Sequence, residues 1–184
     1  MINWQKNIII GTVLGGSSLV LPSNGNNAYL SMRSKNKLWL AYKMQELEEY
    51  FQGCTHRLEG ITYRCNSITS PILTDIHDKM YQNGKRHITD LILDPLMDIG
   101  LAIWYLDGGG RCGRNQKNIY LNTTKLGEEG TETVLEYFNS MFMNCSKTVT
   151  QHRIRIVFTV EASEKYARII EDKVPLFMIR HLRP

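Results

Sequence analysis

The chain has 184 residues, 42% of them hydrophobic and 22% charged, ordinary globular usage that excludes disordered, collagen-like and coiled-coil readings. Its 22 Lys and Arg against 18 Asp and Glu leave a formal charge of +4, which permits an anionic partner without demanding one. The four scattered cysteines (Cys54, Cys65, Cys112, Cys145) contain no CxxC pair, which excludes a disulfide framework, and Cys54, His56 and Cys65 lack the fourth ligand of any common zinc module.

The first expected element begins after Lys6, where an apolar run over residues 8–21, followed by small and polar residues reaching Ala28, imitates an export leader. Gly11, Gly15, Gly16, Ser17 and Ser18 interrupt that run, and no stretch of about 18 unbroken apolar residues exists for a membrane span. A comparable segment returns in mid-chain: residues 9–17 read IIGTVLGGS and residues 101–109 read LAIWYLDGG, an offset of half the chain. The recurrence favours an internal helix over a leader; a secreted or anchored protein with residues 1–28 removed is the distant alternative.

After each copy, polar and apolar residues alternate at the period of a strand. Ala28, Leu30 and Met32 share one face and Tyr29, Ser31 and Arg33 the other, and Ile61, Tyr63 and Cys65 oppose Thr62, Arg64 and Asn66. In the second half, Ile119, Leu121 and Thr123 oppose Asn118, Tyr120 and Asn122, while Ile154, Ile156 and Phe158 oppose Arg153, Arg155 and Val157. Amphipathic helices are expected over 37–51, with Leu38, Leu40, Ala41, Met44, Leu47 and Phe51 inward, and over 128–142, with Val134, Leu135, Phe138, Met141 and Phe142 inward. The order αββαββ thus occurs twice, an α+β fold divided into residues 1–92 and 93–184. Each apolar first helix needs cover, most economically from its own copy, and Gly11, Gly15, Gly100 and Ala102 allow close approach.

Charge is segregated on this plan. Glu46, Glu48, Glu49, Glu128, Glu129, Glu132 and Glu136 collect on the helical side, together with Lys43 and Lys165. Arg33, Lys35, Arg64, Arg111, Arg114, Lys117, Lys147, Arg153 and Arg155 fall on strands and loops, a cationic sheet face suited to a polyanion.

These residues resemble a family, the LAGLIDADG homing endonucleases, in the single-chain form with two copies of the motif. IIIGTVLGGSSL is similar to the family's first helix and LAIWYLDGGG to its second. NGKRHIT at residues 83–89 is similar to the basic tract before the second motif, IYLNTTKLGEEGTETVLEYFNSMF to the strand and helix after it, and PLFMIRHL to the C-terminal basic segment. The resemblance implies pseudo-two-fold αββαββα units whose two curved antiparallel sheets form a DNA-binding saddle around a central pair of motif helices, over residues 8–15 and 96–107. It also implies a monomer that binds a long site in double-stranded DNA and hydrolyses it with Mg2+, held by an acidic residue at the end of each motif helix.

In this sequence those catalytic and metal-binding positions are Gly16 and Gly108, and Asp107 aligns with the position before the second one. Mg2+ needs oxygen ligands, and glycine offers only its backbone carbonyl. The resemblance therefore implies DNA binding with negligible cutting, by an engineered or a degenerate member; Asp at position 16 or 108 is expected to restore nicking, and at both a double-strand break. Arg86 and Arg180 match the family's paired basic positions, whose implied role is to stabilise phosphate charge or orient solvent. The implied DNA contacts are Tyr29, Ser31, Arg33, Arg64, Asn66, Arg111, Arg114, Lys117, Tyr120, Asn122, Arg153 and Arg155, side chains placed to read base edges from a β-ribbon in the major groove. An RNA-splicing maturase on the same scaffold, with intron RNA as its partner, is the nearest alternative. The expected compartment is cytoplasmic or organellar (mitochondrion or plastid), with no membrane partner and no secretion.

Overall fold

The computed structural model describes residues 3–183. The first half runs α1 (Asn3–Leu14), β1 (Ser18–Val20), β2 (Tyr29–Ser34), α2 (Lys37–Glu46), α3 (Glu48–Phe51), β3 (Arg57–Glu59), β4 (Thr62–Asn66) and α4 (Pro71–Met80). A small hairpin, β5 (Tyr81–Gln82) and β6 (Lys85–Arg86), and one helical turn, α5 (Asp90–Leu93), lead to the second half. That half repeats the order as α6 (Asp98–Gly108), β7 (Gly109–Cys112), β8 (Asn118–Asn122), α7 (Gly127–Ser140), β9 (Cys145–Thr150), β10 (Arg153–Phe158) and α8 (Val160–Ile170), followed by helical turns over Leu176–His181. Side-chain caps start three of these helices: Asn36 accepts from the Trp39 N–H, Ser70 from Ile72 ahead of a first-turn Pro71, and Thr159 from Ala162.

Each half forms one open, antiparallel four-stranded sheet, ordered β1-β2-β4-β3 and β7-β8-β10-β9. The alternation sorts faces as expected, because Leu30, Met32, Cys65, Ile119, Leu121 and Ile156 are buried while their neighbours on the strands are not. Helices α2 and α4 cover the first sheet, and α7 and α8 the second. The α+β architecture with two open antiparallel sheets is the expected one.

At the centre, α1 packs along α6. Residues Asn7 to Leu14 of α1 and Ile99 to Tyr105 of α6 are buried without interruption, as expected for helices apolar all round. A Cβ on Gly11 would run into the Gly100 carbonyl oxygen, and one on Gly15 into the Asp107 side chain, so these glycines set the helix separation. Asn7 Oδ1 accepts the Met97 N–H at 2.5 Å, so a side chain of α1 satisfies the backbone where α6 begins. The segment that imitates an export leader is therefore the central helix and an edge strand. No helix among the described residues is long and apolar enough to cross a membrane.

Several local expectations change. The helix expected over 37–51 breaks at Leu47 (φ −111°, ψ 31°), and α2 is rotated so that Trp39, Leu40 and Lys43 face inward while Leu38 is 66% exposed and Ala41 lies outside. The cause of that rotation is polar: Trp39 and Lys43 both bind Asp107, and Lys43, expected on the surface, is wholly buried. Helix α7 stops at Ser140, leaving Phe142 at φ 56° and 87% exposed, and Ile61 is exposed in the turn that Gly60 makes between β3 and β4. Lys147 turns from the sheet towards α7, where Glu128 (3.0 Å) and Glu132 hold it, so its charge is spent on the helical side.

Candidate nucleic-acid interface

Strand register gathers the expected contact residues. On the polar face of the first sheet Ser31 lies opposite Asn66 and Arg33 opposite Arg64. Like charges directly opposed across a sheet are destabilising. Glu59 relieves this in part, 2.7 Å from Arg57 and 3.5 Å from Arg64, while Arg33 remains exposed. In the second sheet Asn122 lies opposite Arg155, and the Arg155 guanidinium sits 4.3 Å over the Tyr120 ring with its Nε buried and unbonded. Tyr29 stands half-buried on β2, and Arg153, Arg114 and Lys117 are exposed. Arg111 is more committed: it donates to the Lys117 carbonyl at 3.2 Å and to that of Leu182, tying β7 to the C-terminal segment.

The ends of α1 and α6 open on one central cavity of about 400 Å3, whose lining includes Gly16, Gly108, Arg33, Asn122, Lys125 and Arg153. Helix α1 stops there by paired bonds from the Gly16 and Ser17 N–H groups to the Val13 and Thr12 carbonyls (both 3.1 Å), and Gly16 adopts φ 124°, where a side chain is strained. Gly108 is still helical. A Cβ there would lie 2.8 Å from the Gly15 carbonyl oxygen and 3.0 Å from the Gly15 Cα, so this end has no room for a side chain.

Two cations close over the end of α1. Lys125, in the helical turn between β8 and α7, donates to the Gly16 carbonyl, and Arg86, presented by β6, donates to the Ser17 carbonyl and lies 3.4 Å from Ser18 Oγ. The turn that aims Lys125 is pinned by two strands of the second sheet: Asn122 Oδ1 on β8 accepts from the Thr124 N–H (3.0 Å), and Thr124 Oγ1 accepts from the Ile154 N–H on β10 (2.9 Å). Desolvation, then the charges of Arg86 and Arg33, lowers the Lys125 pKa. Arg180, expected to pair with Arg86 by symmetry, is exposed and lines a separate, smaller cavity of about 210 Å3 with Gly109 and Gly110.

Lys125, His152 and Trp39 also border or support the central cavity without having been expected to, and Lys43, expected on the surface, is buried against Asp107 in its lining. Lys125 is a lone basic residue between a strand and an acidic helix, a position with a signal, whereas His152 sits in the β9–β10 turn and has none. The hairpin bearing Arg86 was also readable, since Asn83 (φ 52°) and Gly84 (φ 72°) make the two-residue turn that Asn-Gly favours.

The sequence model described as the LAGLIDADG DNA endonuclease family matches residues 6–166. The chain belongs to that family. Among its relatives is the probable intron-encoded endonuclease 1 of Wickerhamomyces canadensis, 24% identical over 156 residues that cover 77% of this chain and 68% of the relative. The fold matches the homing endonuclease I-WcaI bound to its DNA recognition sequence with a TM-score of 0.87 at 21% identity, over 98% of this chain and 86% of the other. I-DmoI in complex with DNA and Mn matches at 0.58 and 9% identity, over 91% and 96% of the two chains.

The donor set at the ends of α1 and α6 does not fit the divalent cation that the family resemblance implies. Asp107 is the carboxylate in the cavity lining, and both its oxygens are taken, Oδ1 by Trp39 Nε1 and Oδ2 by Lys43 Nζ, each at 2.6 Å. The Gly16 carbonyl is occupied by an ammonium. No group of three or more His, Cys, Asp or Glu among the described residues is arranged to hold a metal ion.

Proposed function

We propose that this chain is a monomer that binds a long, specific site in double-stranded DNA in the manner of a homing endonuclease, and that it has lost the ability to cut. Residues 1–92 and 93–184 each supply one sheet, whose polar faces reach base edges through Ser31, Asn66, Tyr120 and Asn122 and phosphates through Arg33, Arg64, Arg153 and Arg155. The observation that carries the reading is the central cavity, cationic on its rim, with glycine at both helix ends and its one carboxylate already neutralised. Removing carboxylates from a place meant for phosphate also removes repulsion, so binding survives the loss of hydrolysis. The intron-encoded relative supports the organellar member of the two expected compartments.

The test begins by selecting a target from a randomised duplex pool and measuring its affinity by fluorescence anisotropy across salt concentrations. Each neutralised phosphate contributes about −0.9 to the log–log slope. Replacing Arg153 and Arg155 by Ala should weaken binding and flatten the slope, whereas replacing Lys165 and Arg168, exposed on α8, should not. The selected duplex should stay intact in Mg2+. Efficient cutting, equal behaviour of the two double variants, or preferential competition by structured intron RNA would overturn the reading.

A further inference from the structure

We infer that Lys125 stands where a metal would be needed: its ammonium, with the guanidinium groups of Arg86 and Arg33, forms a fixed seat for one backbone phosphate of bound DNA at the end of α1, and that seat requires no divalent cation. The inference deepens the proposed DNA-binding function and rests on it.

Space and position come first. With no side chain on Gly16, the atom nearest to where its Cβ would stand is Lys125 Nζ, at 4.0 Å. Lys125 also borders three cavities at once: the central one, one of about 710 Å3 towards the β5–β6 hairpin and one of about 350 Å3 over the first sheet. The ammonium thus marks the junction of the surfaces that DNA would follow from one half to the other.

Donor capacity comes next. Lys125 carries three N–H donors, and the Gly16 carbonyl takes one. Arg86 is anchored through Nη2 to the next carbonyl along, that of Ser17, and its Nη1 is buried without a partner. The charge balance points the same way. The carboxylates at the margins, Glu59 and Glu128, are paired with Arg57 and Arg64 and with Lys147, and Asp107 is paired with Lys43; Glu129 is the remaining acid on the hairpin-side cavity. Two anchored cations with spare donors, and the exposed Arg33 beside them, match a phosphodiester, whose two free oxygens accept charge-assisted hydrogen bonds. A metal ion brought to the same place would meet like charge.

The experiment measures anisotropy of the selected duplex in EDTA and in Mg2+ at matched ionic strength, together with a series of duplexes carrying a single neutral methylphosphonate. Wild-type affinity should be equal in the two buffers within about twofold. Lys125→Met should weaken binding about tenfold and flatten the salt slope by about 0.9, the loss of one phosphate contact. Lys125→Arg should restore most of the slope, which separates loss of charge from loss of fold, and Lys165→Met should leave it unchanged. One central methylphosphonate should weaken the wild type and add nothing to Lys125→Met. Tenfold tighter binding in Mg2+, an unaffected Lys125→Met, or the absence of any such coupled phosphate would overturn the seat while leaving Arg153- and Arg155-dependent binding intact. No duplex binding at all would overturn the seat and the DNA reading together.

Discussion

The two ends of the central helices occupy equivalent places in the duplicated fold and have opposite characters. The end of α1 is open: Gly16 turns out of the helix at φ 124°, its surroundings are empty but for an ammonium, and Lys125 and Arg86 hold its carbonyls. The end of α6 is closed: Gly108 is pressed on Gly15, and Asp107 is bolted to Trp39 and Lys43 of the other half. Both helices lead into an edge strand of a four-stranded sheet, a course that follows from packing. The side-chain chemistry differs between them, so glycine means an opening at one end and a tight contact at the other.

The closed end should break most severely. Lys43→Met leaves the Asp107 carboxylate buried beside an apolar group and should cost about 3–5 kcal/mol in denaturant unfolding, the usual penalty for stranding one partner of a buried pair. Adding Asp107→Asn should recover much of that loss; a single variant as stable as wild type would mean that the bridge between halves carries no weight. Next in size are the acidic substitutions at the two helix ends. Gly108→Asp must part α6 from Gly15 and should cost about 1–3 kcal/mol, while Gly16→Asp meets an unfavourable φ of 124° and should cost about 1–3 kcal/mol of backbone strain. The structure also revises what they should do. An Asp at position 16 falls within reach of Lys125 and pairs with it, so duplex affinity should drop without nicking in Mg2+. Nicking by that single variant, read on a gel with the selected duplex, would show the open end to be metal-competent after all.

The smallest effect contrasts thiols in the two sheets. Burial raises both Cys65 on β4 and Cys145 on β9 to about 11. At pH 8 only about one such thiol in a thousand is ionised, so alkylation of the folded protein should be slow at both and accelerate as pH rises towards 11. The sign for stability follows: between about pH 9 and pH 11 the folded chain holds protons that the unfolded chain has lost, so stability declines as pH rises through that window. Cys65→Ala and Cys145→Ala should each flatten the decline in melting temperature; an unchanged slope would mean that these thiols titrate normally.

What could be read from the sequence followed from periodicity. Leu30 and Met32, or Ile119 and Leu121, announce a strand face by themselves, and two wholly apolar segments with spaced glycines announce helices that cover each other. What escaped was decided by partners far along the chain. Lys43 reads as a surface residue because its carboxylate lies 64 positions away, and Leu38 reads as core because the rotation of α2 is set by that same pairing. Lys125 was visible as a residue but not as part of a site, since its neighbours Gly16 and Arg86 come from another half and from a hairpin. That glycine stands at both positions where the family resemblance implies a carboxylate is legible in the sequence; that Gly16 holds a positive φ and Gly108 is sterically required is not.

The bond from Met97 to Asn7 has a consequence in time. A chain is made from its N-terminus at about 5–20 residues per second, and these two partners are 90 residues apart. Helix α1, buried on every side in the finished molecule, therefore leaves the ribosome roughly 5–20 s before the segment that covers it and whose start it supports. For that interval the nascent chain carries eight consecutive core residues, Asn7 to Leu14, with nothing yet made to bury them against α6. The passage of the next ninety codons is thus the period in which this protein is most exposed to holdase capture or to aggregation, and slowing translation there lengthens the hazard.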